Sequence, residues 1–241
     1  AISVTLLYAT YYDKTDVYTC AMFLAFLGVY AVRRCRRPWL GLLLCGGCLC
    51  LSMGLYQGYI EFGIGLFLLC LLRDCLTKEL PWADYLRRGF TAVAALLLGS
   101  VLYAVSMKVV LAYKHLELID SYNGLQQMGR GGVSVWLSRL PGANKQVLST
   151  LLDYDVWNNR GMRLATAVCL LLALACLVLI LRRKPRRALA QTAILLVLLP
   201  LGLNVVYLLS EKAPTLLMLY PVYLVYALVL LLTGLEPDTI P

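Results

Sequence analysis

The chain has 241 residues, of which 61% are hydrophobic, and its mean hydropathy is +0.77. Soluble domains contain about 45–50% apolar residues, and the excess here lies in long blocks, so an ordinary soluble domain is excluded and a protein that crosses the membrane several times is predicted. The net charge of +9 does not indicate a nucleic-acid-binding protein, because 13 of the 22 Lys and Arg residues lie in three short loops between apolar blocks.

These basic loops predict the orientation of the chain. They cover residues 33–37, 73–88 and 182–187. Short loops rich in Lys and Arg stay on the cytoplasmic side of a membrane. We therefore expect the three basic loops inside the cell and the opposite ends of the helices outside.

The apolar blocks predict an all-α, polytopic membrane helix bundle. The first ten residues are apolar but shorter than the roughly 20 that cross a bilayer, so we expect the end of a partial first helix and a chain that is a fragment of a longer protein. We predict about seven complete spans after it, within a single membrane domain of residues 1–241. In chain order the spans cover residues 17–32, 39–55, 60–72, 89–113, 163–181, 188–209 and 215–235.

Two patterns refine this arrangement near the cytoplasmic side and in the middle of the chain. Residues 73–88 mix apolar and charged side chains, which predicts a helix lying in the membrane interface. Small residues let membrane helices approach closely, so we expect spans 39–55 and 60–72 to pack tightly against each other. Their glycines are Gly41, Gly46, Gly47, Gly54, Gly63 and Gly65.

Residues 114–162 form the longest polar stretch, and the topology places them outside the cell. Connections of this length are uncommon and are often functional, so we predict an extracytoplasmic lid. Short helical pieces are expected at residues 133–140 and 144–152, separated by Pro141-Gly142.

The cysteines and the single histidine do not predict a metal site. Cys45-Gly-Gly-Cys48 has CxxC spacing, but it lies within a predicted span without a second pair, so small packing residues are the preferred interpretation. His115 has no partner at metal-ligand spacing. No cofactor is predicted; a divalent metal is possible but unsupported.

Carboxylate and amide groups near hydrocarbon are costly and usually mark a site. Gln57 and Glu61 are four residues apart at the start of a predicted helix, so both can point into one cavity. Asp13 and Asp16 precede the second predicted helix, where a carboxylate pair could act as a base or bind a cation. The alternative is that both acids cap that helix.

Aromatic and basic residues complete the candidate site on the outer side. Tyr56 and Tyr59, with Tyr220 and Tyr223, could stack on sugar rings or anchor the helices at the interface. The cations could bind a phosphate by charge-assisted hydrogen bonds or contact lipid headgroups. The remaining candidates for substrate binding are Lys108, Arg130, Arg160, Glu211 and Lys212.

The corner Leu51-Ser-Met-Gly-Leu-Tyr-Gln-Gly-Tyr59 resembles the type-II glucosyltransferase (Gtr) family of bacterial integral membrane enzymes. Other stretches are similar to this family as well, and together they extend over most of the chain. They are Tyr12-Asp13 through Tyr18, Asp120-Ser-Tyr122, Glu211-Lys212 and Met218-Leu-Tyr220.

The resemblance implies a GT-C-like enzyme of the bacterial cytoplasmic (inner) membrane. Such an enzyme moves a glucosyl group from a polyprenyl-phosphate donor to a cell-surface glycan, such as O-antigen, on the extracytoplasmic face. The family's essential acid lies in the first outer loop, which is expected before residue 1, so Asp13 and Asp16 are second-choice candidates. Glu61 or an outer-loop Asp could deprotonate the acceptor, and Lys212, Arg130 or Arg160 could stabilise the departing phosphate.

Two other functions stay open at this point. Pro200 and Pro221 lie within predicted spans and, with the glycine-rich helices, could allow the rocking of a transporter or flippase for lipid-linked sugars. The lid could instead be a docking surface of a non-catalytic membrane subunit. The large one-sided lid and the lack of an internal repeat favour the glycosyltransferase.

Overall fold

The computed structural model describes residues 15–116, 132–152, 160–209 and 216–233, and every regular element in these ranges is helical. Two of the elements are 3₁₀-helices, Gln57–Tyr59 and Leu216–Tyr223. The α-helices are α1 (Thr15–Arg34), α2 (Pro38–Leu55), α3 (Ile60–Lys78), α4 (Trp82–Lys114), α5 (Val133–Leu152), α6 (Arg160–Leu181), α7 (Arg186–Gly202), α8 (Val205–Leu209) and α9 (Leu224–Thr233).

Four of these helices are long and apolar enough to cross a membrane. They are α1, α2, α4 and the part of α6 from Arg163 to Leu181, and Met218–Leu232 is a shorter apolar helical stretch. Their outward-facing side chains are Leu, Val and Phe, as expected for contact with lipid. The all-helical class is therefore confirmed for the described residues, with four helices able to cross a membrane by length and composition, whereas the count of seven spans stays a prediction.

Helix α3 is central in the bundle. It packs against α1 and α4 on one side and against α7 and α9 on the other. One apolar cluster joins α3 to α6, α7 and α9, and a second joins α3 to α1, α2 and α4. Phe62 and Leu66 of α3 pack against both clusters, so this helix holds the two parts of the bundle together.

Several glycines of α2 and α3 approach helices other than the expected partner; Gly63 is an exception, since a Cβ there would lie 2.8 Å from Leu49 of α2. A Cβ on Gly65 would lie 2.6 Å from both Leu203 and Leu224, so α3 approaches the second part of the bundle there. Helix α2 packs mainly on α1 and α4 and only slightly on α3. The expected tight α2–α3 pair is therefore not the main packing of these helices, because Gly41 and Gly46 of α2 face α1 and α4, and of the α3 glycines Gly63 faces α2.

The basic loops meet at one end of the bundle, which we call the basic end. Asp74 of α3 has a side chain only 2% exposed and forms ion pairs with Arg33 at 2.9 Å, with Lys78 at 3.5 Å and with Arg88. Burial alone would raise the pKa of Asp74, but the hydrogen bond from Arg33 and the nearby cations hold it below its usual value. The ends of α1, α3 and α4 are thus joined through one carboxylate.

The third basic loop lies at the same end. Lys184 is 3.6 Å from Glu79, and Arg187 donates to the Glu79 carbonyl at 2.8 Å. Gln191 donates to the Leu80 carbonyl at 3.0 Å. The three loops that the charge pattern assigned to one side of the membrane are therefore neighbours in space.

Three element boundaries differ from the predicted ones. Helix α4 runs unbroken from Trp82 to Lys114, so the second half of the expected interfacial helix is continuous with the following span. The helix contains no proline that would end it near Gly89. Helix α5 is continuous through Pro141, where two pieces were expected. The predicted span 188–209 is divided, because α7 ends at Gly202, two residues after Pro200, and α8 starts at Val205.

Candidate functional site

The corner between α2 and α3 lies at the end of the bundle opposite the basic end, and we call this the corner end. Helix α2 stops where Tyr56 adopts an extended conformation, with its N–H bonded to the Ser52 carbonyl at 3.0 Å. The buried Ser52 hydroxyl donates to the Ala21 carbonyl at 2.7 Å. The 3₁₀-helix Gln57–Tyr59 then reverses the chain into α3, so the corner is fixed against α1.

Tyrosine rings from three elements pack around this corner. Tyr56 lies 5.3 Å from Tyr59 between ring centroids, and Tyr18 of α1 lies 5.0 Å from Tyr56. Tyr220 of the second 3₁₀-helix contacts Tyr59 at 6.4 Å. The two predicted binding residues Tyr56 and Tyr59 are thus brought together with Tyr220, which the sequence had offered as a sugar-stacking ring.

Gln57 bonds to a different helix from its predicted companion Glu61. Its side-chain amide donates to the hydroxyl of Tyr103 in α4. Glu61 instead contacts α8, on the other side of α3. A cavity shared by both side chains therefore stays a prediction.

Glu61 is fully buried in the first turn of α3. One carboxylate oxygen, Oε1, accepts a hydrogen bond from the backbone N–H of Val206 at 2.5 Å. That N–H lies in the first turn of α8, where amides have no partner within their own helix. The other oxygen, Oε2, is also buried and has no hydrogen-bond partner among the described residues. Half of this carboxylate is therefore available to a donor.

Asn204 lies in the turn between α7 and α8 and is also fully buried. Its amide nitrogen donates to the Ala143 carbonyl at 3.2 Å and to the Gln146 side chain at 3.3 Å, both in α5. Its Oδ1 has no partner in the described part of the chain. The turn that presents Val206 to Glu61 thus also holds α5, the helix of the predicted lid.

The corner end can accept hydrogen bonds more readily than it can bind a metal. Glu61 Oε2 and Asn204 Oδ1 are buried acceptors to which no described residue donates, and hydroxyl groups are suitable partners for both. Within the described ranges, His, Cys, Asp and Glu side chains form no group of three that could hold a metal ion. This set of groups suits the recognition of a polyhydroxylated molecule beside aromatic rings.

Comparison with protein families gives a match to the model described as glucosyl transferase GtrII, over residues 3–233. The chain belongs to the GtrII family of glucosyl transferases. The match includes the corner on which the resemblance was based and extends over nearly the whole sequence. No curated protein and no solved structure matches the chain. Membership in GtrII supports a transferase rather than a transporter or a non-catalytic subunit.

Of the other predicted site residues of this GtrII chain, Asp16 and Lys108 lie outside the corner cluster. Asp16 is exposed in the first turn of α1, two residues from the buried Tyr18 and so on the opposite face of that helix. Lys108 is exposed on α4, about 140° around the helix from Tyr103. Only the backbone of Arg160 is described, as the first residue of α6. The remaining predicted residues, outside the described ranges, are Asp13, Arg130, Glu211 and Lys212.

Sequence reasoning missed Tyr103 and Asn204 as members of the candidate GtrII site. Tyr103 is the partner of Gln57, and Asn204 connects the neighbourhood of Glu61 to α5. A signal for Asn204 was present, because an amide four residues after Pro200 in an apolar run must find a polar partner. Its partner lies 58 residues away in the chain, so only the fold could identify it.

Proposed function

We propose that this chain provides part of the transfer site of a membrane glucosyltransferase that uses a polyprenyl-phosphate-linked glucosyl donor. The acceptor is a surface glycan, and transfer takes place at the corner end, on the extracytoplasmic side of the membrane. The observation that supports this most directly is the buried Glu61 carboxylate, one oxygen of which has no partner among the described residues, and which follows Tyr59 of the tyrosine-lined corner by two residues in the chain.

The position of the cluster suits a lipid-linked donor. Such a donor keeps its chain in the bilayer, so its sugar is available only where a helix bundle meets the membrane surface. The corner lies at one end of α2 and α3, and along α1 it is about 22 Å from the basic end. The positive-inside pattern supports a cytoplasmic location for the basic end and hence an extracytoplasmic one for the corner.

Glu61 is the proposed base for the acceptor hydroxyl. Transfer requires that this hydroxyl loses its proton as the new bond to the sugar forms, and a positioned carboxylate can accept it. Since Glu61 is fully buried, the acceptor reaches Oε2 only when the α7–α8 turn or α5 moves. Asn204 bonds to α5 and lies in that turn, so movement of the lid and access to Glu61 are coupled in this scheme.

The test uses two substitutions of Glu61 in the complete protein, reconstituted in membranes with a polyprenyl-phosphate glucose donor and the glycan acceptor. Glu61→Gln keeps an oxygen for the Val206 N–H but removes the basic carboxylate, so we expect normal insertion and a 10²–10⁴-fold loss of transfer, the range typical of a general base. Glu61→Ala removes the hydrogen bond as well and should also lower thermal stability.

The matched control is Asp84→Asn, which removes a carboxylate at the basic end that pairs with Arg87 in its own helix. This variant should transfer glucose at the normal rate. Full transfer by Glu61→Gln would reduce Glu61 to a structural ligand of α8 and remove the proposed base. Gln57→Ala, which loses the bond to Tyr103, is expected to weaken transfer with insertion unchanged.

A further inference from the structure

The aromatic rings at the corner belong to a longer series that continues into the membrane. Successive centroids are 5.0, 5.3, 6.4, 6.0 and 6.1 Å apart, so each ring touches the next. We call this series the tyrosine row. In order of contact its members are Tyr18, Tyr56, Tyr59, Tyr220, Tyr223 and Tyr226.

The row changes character along its length. At the corner Tyr18 and Tyr59 are buried, at 6% and 1% exposure, and belong to the packing of α1 against the corner. From Tyr220 onward the rings are only partly buried. The six residue steps from Tyr220 to Tyr226 span roughly 10 Å along the helix axis, from the rises of a 3₁₀-helix and an α-helix. The row thus leads from the polar corner into the apolar half of the bundle.

The deep end of the row presents apolar ring surface. Tyr223 and Tyr226 are nearly parallel, with an interplanar angle of 9°, so their flat faces are aligned. The Tyr226 hydroxyl is bonded to the Thr166 hydroxyl of α6 at 2.7 Å, which satisfies its polar atom. Leu230, one turn further along α9, is 74% exposed and marks the surface that faces lipid.

We propose that Tyr223 and Tyr226 bind the first isoprene units of the lipid-linked donor, while its sugar lies at the corner beside Tyr59 and Glu61. This inference rests on the proposed function, because it concerns the donor of that reaction. Isoprene units are flat at their double bonds and pack well on aromatic faces. Tyr59 of the row is two residues before Glu61 in the chain, and the other end of the row approaches the exposed Leu230, which matches a molecule with a polar head and an apolar chain.

The chain length of the donor separates this role from simple packing. Tyr223→Ala and Tyr226→Ala should each raise KM on the order of tenfold for a long polyprenyl-phosphate glucose. A short donor analogue that carries an ethyl group in place of the isoprene units cannot make this contact, so the rise in its KM should be markedly smaller. Tyr223→Phe and Tyr226→Phe keep the ring and should keep the parent KM for the long donor.

Tyr30→Ala is the matched control, because Tyr30 also stacks on a ring, that of Phe26, but lies towards the basic end of α1. It should leave KM unchanged for both donors. A rise in KM that is equal for the long and short donors, or no rise at all, would overturn the inference.

A second measurement separates this inference from the proposed function. A diazirine-bearing polyprenyl phosphate should crosslink to the segment that contains Tyr223 and Tyr226, and less so in the two Ala variants. Crosslinking to this segment without any transfer by the parent protein would support donor binding at the tyrosine row and refute the proposed transfer reaction. Transfer by a protein that crosslinks only at other segments would refute donor binding at Tyr223 and Tyr226 but would leave the proposed function standing.

Discussion

Two buried carboxylates, Asp74 and Glu61, show how differently one residue type can be used in this protein. Asp74 at the basic end has three cationic partners, whereas Glu61 at the corner end has one backbone N–H. A buried carboxylate with several charge-assisted hydrogen bonds is satisfied and structural. One with a vacant buried oxygen is costly to maintain, and such cost is commonly associated with function.

Asp74→Asn should destabilise the protein without abolishing transfer. It leaves Arg33 and Arg88 without their shared carboxylate, and because both side chains are about one-third exposed we expect a loss of about 1–3 kcal/mol in unfolding free energy. Thermal unfolding in detergent or nanodiscs measures it. Asp84→Asn, at a more exposed ion pair, should change stability by less than about 0.5 kcal/mol.

The stability lost in Asp74→Asn should also depend on pH. The folded state holds the pKa of Asp74 below its unfolded value, so the stabilisation is fully present above about pH 4 and decreases as pH falls through the folded-state pKa. Asp74→Asn should therefore lower stability at neutral pH and approach the parent protein in acid. An equal deficit at all pH values would contradict the assigned role of the carboxylate.

At the scale of elements, the break between α7 and α8 determines how several helices meet near Glu61. Pro200 removes one helical hydrogen bond, and Leu203 and Asn204 then form a turn instead of a continuous helix. The turn places Leu203 against Gly65 and the amide of Val206 against Glu61. Because α5 bonds to the same turn, the break joins α3, α8 and the lid helix at one position.

Substitutions of two glycines, Gly65 in α3 and Gly54 in α2, test the close contact between α3 and the α7–α8 turn. Gly65→Ala would bring a methyl group 2.6 Å from the side-chain ends of Leu203 and Leu224, so it should cost about 1–3 kcal/mol of stability and shift the turn. Gly54→Ala meets nothing within 4 Å and should be neutral or stabilise α2 by up to about 1 kcal/mol. Thermal unfolding of the two variants is the measurement, and equal effects would refute the close contact at Gly65.

At the scale of the whole molecule, α3 connects opposite chemistry at its two ends. Its first turn carries Glu61 beside the tyrosine-lined corner, and its last turns carry Asp74 within the basic loops. Both parts of the bundle pack on this helix. In the proposed function, a movement of α5 would reach Glu61 through the α7–α8 turn while the ion pairs hold the basic end fixed.

The orientation of the whole molecule can be measured by labelling single cysteines in intact cells, in a chain whose nine native cysteines are replaced. Arg34→Cys and Arg186→Cys, exposed at the basic end, should resist a membrane-impermeant maleimide. Asn144→Cys, exposed on α5, should react. The reverse pattern would place the corner end in the cytoplasm and refute the extracytoplasmic site.

The sequence by itself determined the helical membrane fold, the common end of the basic loops and the corner at Tyr56–Tyr59, because hydropathy, charge and the glycine-containing turn are local properties. It could not determine where α7 breaks, because Pro200 permits a break that tertiary contacts with Gly65 and Glu61 then stabilise. Nor could it identify Tyr103 as the partner of Gln57 or Asn204 as the residue bonded to α5. Gln57 and Tyr103 are 46 residues apart in the chain, and Asn204 and Gln146 are 58 residues apart. Only the packing of the helices brings each pair within hydrogen-bonding distance.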